Sequence, residues 1–347
     1  MNPITTAVIG IGRSAQVFHI PFIQNLPHFN WVAGVERHGS TLQEKFPDVQ
    51  CYRSAEDLWK REDIELVIIT TPNQSHAFLV EQALLAGKHV LVDKPFVVNY
   101  EDALRLQQLA KEKQRTIFVF QNRRWDSDWL TIQSLVKSHR LGDVSKIISR
   151  MDRYRPEPRL TYWKESDMMG NGLWYDLGAH MLDQAFQGFG LPIVITASLK
   201  KQRIEAQGVD FFEVVLKYRT PKPFEVVLSA GMLQEEPSFR WEVIGSKGTF
   251  QKKSWDKQEN ALANGVYQDV SISQDVPEEY GVIHYQEGGV ELVPTITGKY
   301  EDFYTSVYET IRENKKFPVS LEDVNQVIYW LEKIQSSAVH GTVTFAL

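Results

Sequence analysis

The chain has 347 residues, more than a single hydrophobic core usually supports, so its length predicts two domains. Its composition is that of a globular protein, with 43% hydrophobic and 24% charged residues. A net charge of -6 excludes a general attraction to nucleic acid or anionic lipid, and no apolar run has the length of a membrane span.

The cysteine content and the first residues bear on the compartment. The single cysteine, Cys51, excludes an internal disulfide and provides too few thiolates for a metal cluster. The N-terminus carries no basic region or cleavable apolar segment, because the apolar run that begins at Ile4 already belongs to a strand. We therefore expect a cytoplasmic protein.

The residues from Ile4 to Glu36 form the pattern of a dinucleotide-binding site. A short apolar strand runs into the turn Gly10-Ile11-Gly12-Arg13-Ser14-Ala15, a candidate helix follows, and a second strand, Trp31 to Val35, ends on Glu36. In such a site the glycines allow a tight turn and a close approach to a pyrophosphate, and the helix N-terminus attracts the phosphate charge. The acidic residue accepts hydrogen bonds from the ribose hydroxyls. An ordinary glycine turn is the alternative interpretation.

Strands continue to alternate with helices up to residue 121, where the predicted first domain, 1–121, ends. The buried apolar strands are Leu66–Thr70 and His89–Val92, the helices are Ser75–Ala86 and Tyr100–Lys113, and a last strand is Thr116–Phe120. This alternation predicts βαβ units in a parallel sheet, with ligands beyond the carboxyl ends of the strands. The expected cofactor-binding residues are Gly10, Gly12, Arg13, Ser14, Glu36, Arg37, Thr71, Pro72, Asn73, His76, Lys94 and Gln121.

Lys94 directly follows the strand residues His89–Val92 and Asp93, at the edge where we expect the nicotinamide. Pro95 restricts the next bond, for which a cis peptide is one alternative. A solvated lysine at the end of a strand is the ordinary interpretation, and a functional amine facing the cofactor is the other.

The pattern changes in the predicted second domain, 122–347. The expected helices are Trp129–Arg140, Leu173–Phe189, Tyr300–Asn314 and Leu321–Ala338, and the first strand is Ser145–Asp152. Long antiparallel strands are expected at Val194–Arg203, Phe211–Tyr218, Phe224–Met232 and Arg240–Ile244, with turns at Pro221-Lys222-Pro223 and Gly245–Gly248. The polar stretch Gln251–Pro294 predicts an irregular excursion.

Asp176, His180 and Asp183 are spaced at i, i+4 and i+7, which places them on one face of the predicted helix. A carboxylate and an imidazole one turn apart suit proton transfer, because histidine titrates near neutral pH. A pair that satisfies itself in the core is an alternative. A zinc site is a third interpretation, although no second histidine or cysteine lies at a useful spacing. Asp183 is expected to be structural.

Several of these segments together resemble the glucose–fructose oxidoreductase / inositol dehydrogenase / rhizopine (Gfo/Idh/MocA) family, over nearly the whole length. They are Gly10–Ala15, Thr71–His76, Gly87–Pro95 and Gly172–His180. Two positions depart from the family pattern: Asp93 stands where the family usually has glutamate, and Gly170-Asn171-Gly172 replaces a more glycine-rich run. Phe18–Pro21 and Asn122–Asp126 resemble a subgroup that includes scyllo-inositol dehydrogenases.

The resemblance implies a Rossmann domain followed by an α/β domain with a large open, mostly antiparallel sheet. It also implies bound NAD or NADP and hydride transfer at a carbinol carbon of a sugar or cyclitol. Catalysis by the lysine of the Lys-Pro motif and by the Asp/His pair maps onto Lys94, Asp176 and His180. Our candidates for the substrate wall, each with packing or an interface as its alternative, are Arg123, Trp125, Tyr154, Arg155 and Trp163, beside Asp176 and His180.

The choice of cofactor depends on Glu36 and Arg37. Glu36 favours NAD by binding the 2′-hydroxyl and repelling a phosphate, whereas Arg37 is able to pair with the phosphate of NADP, and we favour NAD slightly. A non-catalytic dinucleotide sensor on the same fold is the alternative function, and intact Lys94, Asp176 and His180 argue against it. A homo-oligomer, dimer or tetramer, that binds a small polyol is expected, with no nucleic-acid or membrane partner and no metal.

Overall fold

The computed structural model describes residues 2–220, 222–236, 238–267, 274–338 and 341–346. These residues pack into two compact units. The first contains residues 2–122, 257–267 and 300–328, and the second contains the other described residues. The domain limits 1–121 and 122–347 stay a prediction.

Residues 2–122 form a six-stranded parallel sheet with the order β3-β2-β1-β4-β5-β6. Its strands are β1 (Ile4–Ile9), β2 (Phe29–Val35), β3 (Gln50–Tyr52), β4 (Leu66–Ile69), β5 (His89–Val92) and β6 (Ile117–Val119). The helices are α1 (Ile20–Asn25), α2 (Thr41–Lys45), α3 (Ala55–Trp59), α4 (His76–Leu85) and α5 (Tyr100–Lys113). All four residues of β4 are fully buried, as expected for a central parallel strand covered on both faces. The predicted Rossmann sheet is confirmed.

Three caps explain where helices of this unit begin and end. Ser54 Oγ accepts a hydrogen bond from the Glu56 N–H at the start of α3, and Asn99 Oδ1 accepts one from the Asp102 N–H at the start of α5. Gly87, with a φ of +73°, follows the end of α4. Polar residues 37–48 contain α2, which the sequence pattern did not indicate.

Residues 123–256 form most of the second unit. The helices are α6 (Ser127–Lys137) and α7 (Ala179–Phe189), and the strands are β7 (Val144–Arg150), β8 (Val194–Lys200), β9 (Phe211–Tyr218), β10 (Phe224–Gly231), β11 (Trp241–Gly245) and β12 (Gly248–Lys252). The predicted strands and the turn at Gly245–Gly248 are confirmed within a few residues. Of the turn predicted at Pro221-Lys222-Pro223, Pro221 lies outside the described residues.

The rest of the chain contributes to both units. Its elements are α8 (Gln258–Ala263), β13 (Gly281–Tyr285), β14 (Val290–Val293), α9 (Glu301–Glu313), α10 (Leu321–Ala338) and β15 (Val343–Ala346). The prediction of an irregular excursion over 251–294 was wrong for its described part, because β12 extends to Lys252 and α8, β13 and β14 follow. Its residues 268–273 lie outside the described part.

The second unit contains a nine-stranded sheet with the order β14-β13-β12-β11-β7-β10-β9-β8-β15. Its strand pairs are antiparallel except β7 with β10. The resemblance implied this large, mostly antiparallel sheet, which is confirmed. Alternate residues of β9 are buried, so one face of that strand carries the core side chains.

Candidate active site

The predicted glycine turn lies at the carboxyl end of β1, in the middle of the parallel sheet. Gly10 has a φ of +88°, and a Cβ there would lie 3.1 Å from Thr71 Cγ2, so both backbone conformation and space require glycine. Gly12 has nothing within 4 Å of the position that a Cβ would occupy. The backbone at Gly12 is therefore open to a ligand, as a pyrophosphate site requires. A π-helical turn, Ala15–His19, and α1 follow.

Asp93, immediately after β5, connects the glycine turn to Lys94. Its Oδ2 accepts a hydrogen bond of 2.6 Å from Ser14 Oγ, and its Oδ1 lies 3.0 Å from His19 Nε2. His19 Nδ1 in turn lies 3.1 Å from the Tyr304 hydroxyl. Burial of Asp93 opposes ionisation, but the charge and hydrogen bonds of His19 and Ser14 outweigh it and lower the pKa of the carboxyl. The segment that begins Asp93-Lys94 is thus fixed to the turn.

His76, a predicted cofactor residue, is completely buried. Its Nδ1 lies 2.9 Å from the Pro95 carbonyl oxygen and its Nε2 lies 2.8 Å from that of Thr71. Burial lowers the pKa of the imidazole, against the opposing effects of Asp93 and of the hydrogen bonds to these carbonyls. The structure therefore gives His76 a positioning role, because it joins the loop after β4 to the Lys94–Pro95 bond, which is cis.

Glu36, the predicted ribose ligand, accepts hydrogen bonds from two backbone N–H groups. Its Oε1 accepts the Thr41 N–H and its Oε2 accepts the Leu42 N–H, both at 3.0 Å, at the start of α2. Burial opposes the charge, but the hydrogen bonds of Leu42 and Thr41 outweigh it and lower the pKa of Glu36. Arg53 Nη1 donates to the Glu36 carbonyl at 2.9 Å and to the Gly39 carbonyl at 2.8 Å. The carboxylate thus stabilises the loop after β2.

The other predicted cofactor residues of this unit follow the strand ends. Gln121 is 2% exposed, and its Oε1 has no hydrogen-bond partner among the described residues. A buried amide oxygen without a partner is costly unless a ligand or water satisfies it, so this position fits a bound dinucleotide. Lys94, Thr71 and Asn73 are half-buried, and Arg13, Arg37 and Pro72 are exposed.

In the second unit, Asp176 and His180 lie on consecutive helical segments. Asp176 belongs to a π-helical turn, Trp174–Gly178, and His180 to α7, which continues from it. The predicted helix from about Leu173 to Phe189 is confirmed in its extent, and Trp174–Gly178 within it form a π-helical turn. Residue His180 is 5% exposed, whereas the Asp176 side chain is 27% exposed. Single π-helical turns are rare and frequently occur at functional sites.

Lys164, which the sequence analysis did not single out, contacts the candidate site residue Asp176. Its Nζ lies 3.2 Å from Asp176 Oδ1 and 5.6 Å from the centre of the Trp163 ring. Lys164 follows Trp163 directly, so the aromatic residue was a usable signal. Of the other predicted substrate residues, Tyr154 and Arg155 are exposed and Trp163 is half-buried.

Arg203 fixes the loop that carries these residues. Its side chain is 3% exposed, and Nε and Nη2 each lie 2.9 Å from a carboxylate oxygen, of Asp210 and Glu165 respectively. Nη1 also donates to the Arg155 and Glu157 carbonyls at 3.2 Å. Arg203 is far from the loop in sequence, and nothing in the pattern indicated it.

The charged residues of the segment Asn122–Asp126 form buried ion pairs. Arg124 forms a two-point ion pair with Asp183, Nε to Oδ2 at 2.8 Å and Nη2 to Oδ1 at 2.7 Å. Arg123, a predicted substrate residue, is 8% exposed and its Nη1 lies 3.0 Å from Asp126 Oδ2. Trp125 is half-buried.

In the part of the chain that the structure describes, no group of three or more His, Cys, Asp or Glu side chains is placed to hold a metal ion. No described helix has both the length and the apolar character needed to cross a membrane.

A parallel sheet with a glycine turn at its central carboxyl edge, followed by an α/β unit, defines a dinucleotide-binding oxidoreductase. Residues 4–121 match the oxidoreductase family described as an NAD-binding Rossmann fold, and residues 133–347 match its C-terminal alpha/beta domain. The chain belongs to the Gfo/Idh/MocA oxidoreductase family and binds NAD or NADP.

Known proteins resemble the chain over nearly its full length. An uncharacterized oxidoreductase of Schizosaccharomyces pombe is 37% identical, over 97% of each chain. The scyllo-inositol 2-dehydrogenase (NADP(+)) IolW of Bacillus subtilis is 33% identical, over 97% of this chain and 94% of its own. The solved structure of the oxidoreductase yvaA from Bacillus subtilis superposes with a TM-score of 0.92 at 32% identity, over 99% of each chain.

Proposed function

We propose that the protein is an NAD(P)-dependent dehydrogenase that oxidises a secondary alcohol of a polyol, a sugar or a cyclitol, to a ketone. The observation that carries the proposal is the bonding of Asp93 to Ser14 and His19, which fixes the Lys94 segment to the glycine turn. A lysine directly after the residue that bonds to the dinucleotide turn suits chemistry at the nicotinamide end. The similarity to an inositol dehydrogenase of Bacillus subtilis supports a polyol substrate.

In this proposal the residues handle the proton and the developing charge, while the bound nicotinamide takes up the hydride. His180 accepts the proton of the reacting hydroxyl as a general base, since a neutral imidazole has a free lone pair. Lys94, through its ammonium group, stabilises the negative charge of an alkoxide. Asp176 accepts a hydrogen bond from a neighbouring hydroxyl and orients the imidazole.

The loop that carries Tyr154, Arg155, Trp163 and Lys164 is suited to polyols in two respects. Tyr154 and Trp163 offer aromatic faces, and Arg155 offers guanidinium donors for hydroxyl oxygens. Lys164 Nζ lies 3.2 Å from Asp176 Oδ1 and adds an ammonium donor next to that carboxylate acceptor. We therefore add Lys164 to the residues that bind the substrate.

The test is a screen of sugars and inositols with both cofactors, followed by kinetics of His180→Ala on the substrate found. Loss of the general base lowers kcat by about 10²–10⁴-fold. His284→Ala, which removes an exposed histidine on β13, is the matched control and keeps the wild-type rate. A His180→Ala rate close to wild type would remove His180 from the proposed role. Tight cofactor binding with no oxidation of any polyol would favour the sensor.

Dimer or tetramer formation and a cytoplasmic location stay predictions of the sequence. Sedimentation of the purified chain measures its oligomeric state directly.

A further inference from the structure

The two strands that meet at the glycine turn bring two arginines to one edge of the sheet. β1 and β2 are paired in parallel, with Ile9 opposite Val35, so the residues that follow each strand are neighbours. Arg13 follows β1 within the turn, and Arg37 follows β2 directly after Glu36. Neighbouring strands lie about 4.8 Å apart, so both arginines belong to loops at the same edge of the sheet.

Both arginines are available to a ligand. Their residues are exposed, and within the described ranges neither side chain has a hydrogen-bond or ion-pair partner. Most other arginines of this unit are already engaged, for example Arg53 with backbone carbonyls and Arg312 with Glu65. An exposed, unpaired arginine pair beside a dinucleotide turn is suited to a phosphate, which guanidinium groups bind with strong charge-assisted hydrogen bonds.

An acidic residue at the position of Glu36 ordinarily repels a 2′-phosphate, but here its carboxylate is hydrogen-bonded to the start of α2. Each oxygen accepts a backbone N–H at the start of α2, and the residue is 7% exposed. Gly39, with a φ of +96°, brings the loop so close that a Cβ would lie 3.0 Å from Glu36 Oε1. A ribose hydroxyl would have to share an oxygen that already has a donor. Two N–H groups and the nearby Arg53 also offset the negative charge that would repel a phosphate.

We propose that this chain selects NADP(H) over NAD(H), with Arg37 and Arg13 binding the 2′-phosphate and Glu36 acting as the cap of α2. This reverses the slight preference for NAD that the sequence favoured. The inference deepens the proposed function at the adenosine end of the cofactor site. The inference shares with the proposed function only the requirement that the chain binds a dinucleotide. It does not depend on the identity of the substrate.

The test measures binding, not turnover. Titration calorimetry of the full chain with NADPH, NADH, 2′,5′-ADP and 5′-AMP compares ligands that differ in the 2′-phosphate. We expect NADPH and 2′,5′-ADP to bind about ten- to a hundredfold more tightly than their partners, the range for a hydrogen bond to a charged group. Arg37→Ala should lose most of that advantage, whereas Arg219→Ala, which removes an exposed arginine of the second unit, should keep it.

Several results would overturn the proposal. NADH binding as tightly as NADPH in the wild type would refute the selectivity, and a preference unchanged in Arg37→Ala would refute the assignment of the arginine. For Glu36→Gln we expect a lower melting temperature, because α2 loses its charged cap. A tenfold loss of NADH affinity in that variant at an unchanged melting temperature would show that Glu36 binds the ribose. Failure to bind either dinucleotide would overturn the proposal, whereas failure of the polyol screen alone would contradict only the proposed reaction.

Discussion

His89, the first residue of β5, should make the protein less stable in mild acid. Its Nδ1 accepts a hydrogen bond of 3.1 Å from the Thr116 N–H, so the neutral ring is part of the structure. Burial and then the charge of Arg115 lower the pKa of His89 to about 4, with Glu65 opposing and Arg312 adding to the shift. A protonated ring would lose its acceptor at Nδ1.

The size of the effect follows from the two pKa values. In the unfolded chain the pKa of histidine is about 6.5. Because the folded value is lower, the unfolded state binds the proton first, and stability falls as the pH drops from about 6.5 towards about 4. The full separation corresponds to about 3 kcal/mol, of which about 2 kcal/mol is lost between about pH 7 and about pH 5.

The assay is urea unfolding of the wild type and His89→Asn at both pH values. Asparagine places a neutral oxygen near the position of Nδ1, so it keeps an acceptor for Thr116 without the titration. Between about pH 7 and about pH 5 the wild type should lose about 2 kcal/mol more than His89→Asn, and other acid-sensitive groups such as His76 cancel in this difference. His284→Asn, at an exposed site, controls for loss of a histidine. Equal losses in the wild type and His89→Asn would refute the reasoning.

Two further predictions concern the second unit, and unfolding in urea measures both. Gly178→Ala should lower the free energy of unfolding by about 1–3 kcal/mol, because a Cβ there would overlap Trp174 Cε3 and lie 2.6 Å from its Cζ3. The indole is fully buried and has little room to move. A change below about 0.5 kcal/mol would contradict this prediction. Asp183→Asn should cost about 3–5 kcal/mol, since it leaves the buried Arg124 guanidinium without its carboxylate. The exposed pair of Asp143 with Lys222 is the control, where Asp143→Asn should leave the free energy of unfolding nearly unchanged. Similar losses in the two aspartate variants would show that burial of the first pair is not decisive.

The parallel sheet could be predicted because its strands are short, continuously apolar runs. Leu66–Ile69 and His89–Val92 consist almost entirely of apolar residues. Gly10 and Gly12 occupy the positions where the turn requires glycine or an open backbone. The pattern failed where elements are short or partly exposed. β14 has two exposed apolar residues, Val290 and Leu292, so neither alternation nor a continuous run was clear.

The partners of the candidate site residues were harder to predict than their positions. Glu36 stands where a ribose ligand belongs, but the destination of its oxygens depends on how the loop to α2 closes. Arg124 and Asp183 are 59 residues apart, so no local pattern connects them. The π-helical turn at Trp174–Gly178 differs from an α-helix by one residue in its hydrogen bonds, too little for hydrophobic spacing to reveal.

The substitution of Asp93 for the glutamate usual in the family is compatible with the same chemistry because its partners compensate. A buried carboxylate must be hydrogen-bonded, and Ser14 and His19, both on the segment after β1, lie within reach of its shorter side chain. Tyr304 on α9 then contacts the far nitrogen of His19. One carboxylate thereby joins the turn that approaches the pyrophosphate to the residue directly before Lys94. Because Asp93 bonds to the turn and directly precedes Lys94, we expect a change at Asp93 to affect cofactor binding as well as the proposed catalysis.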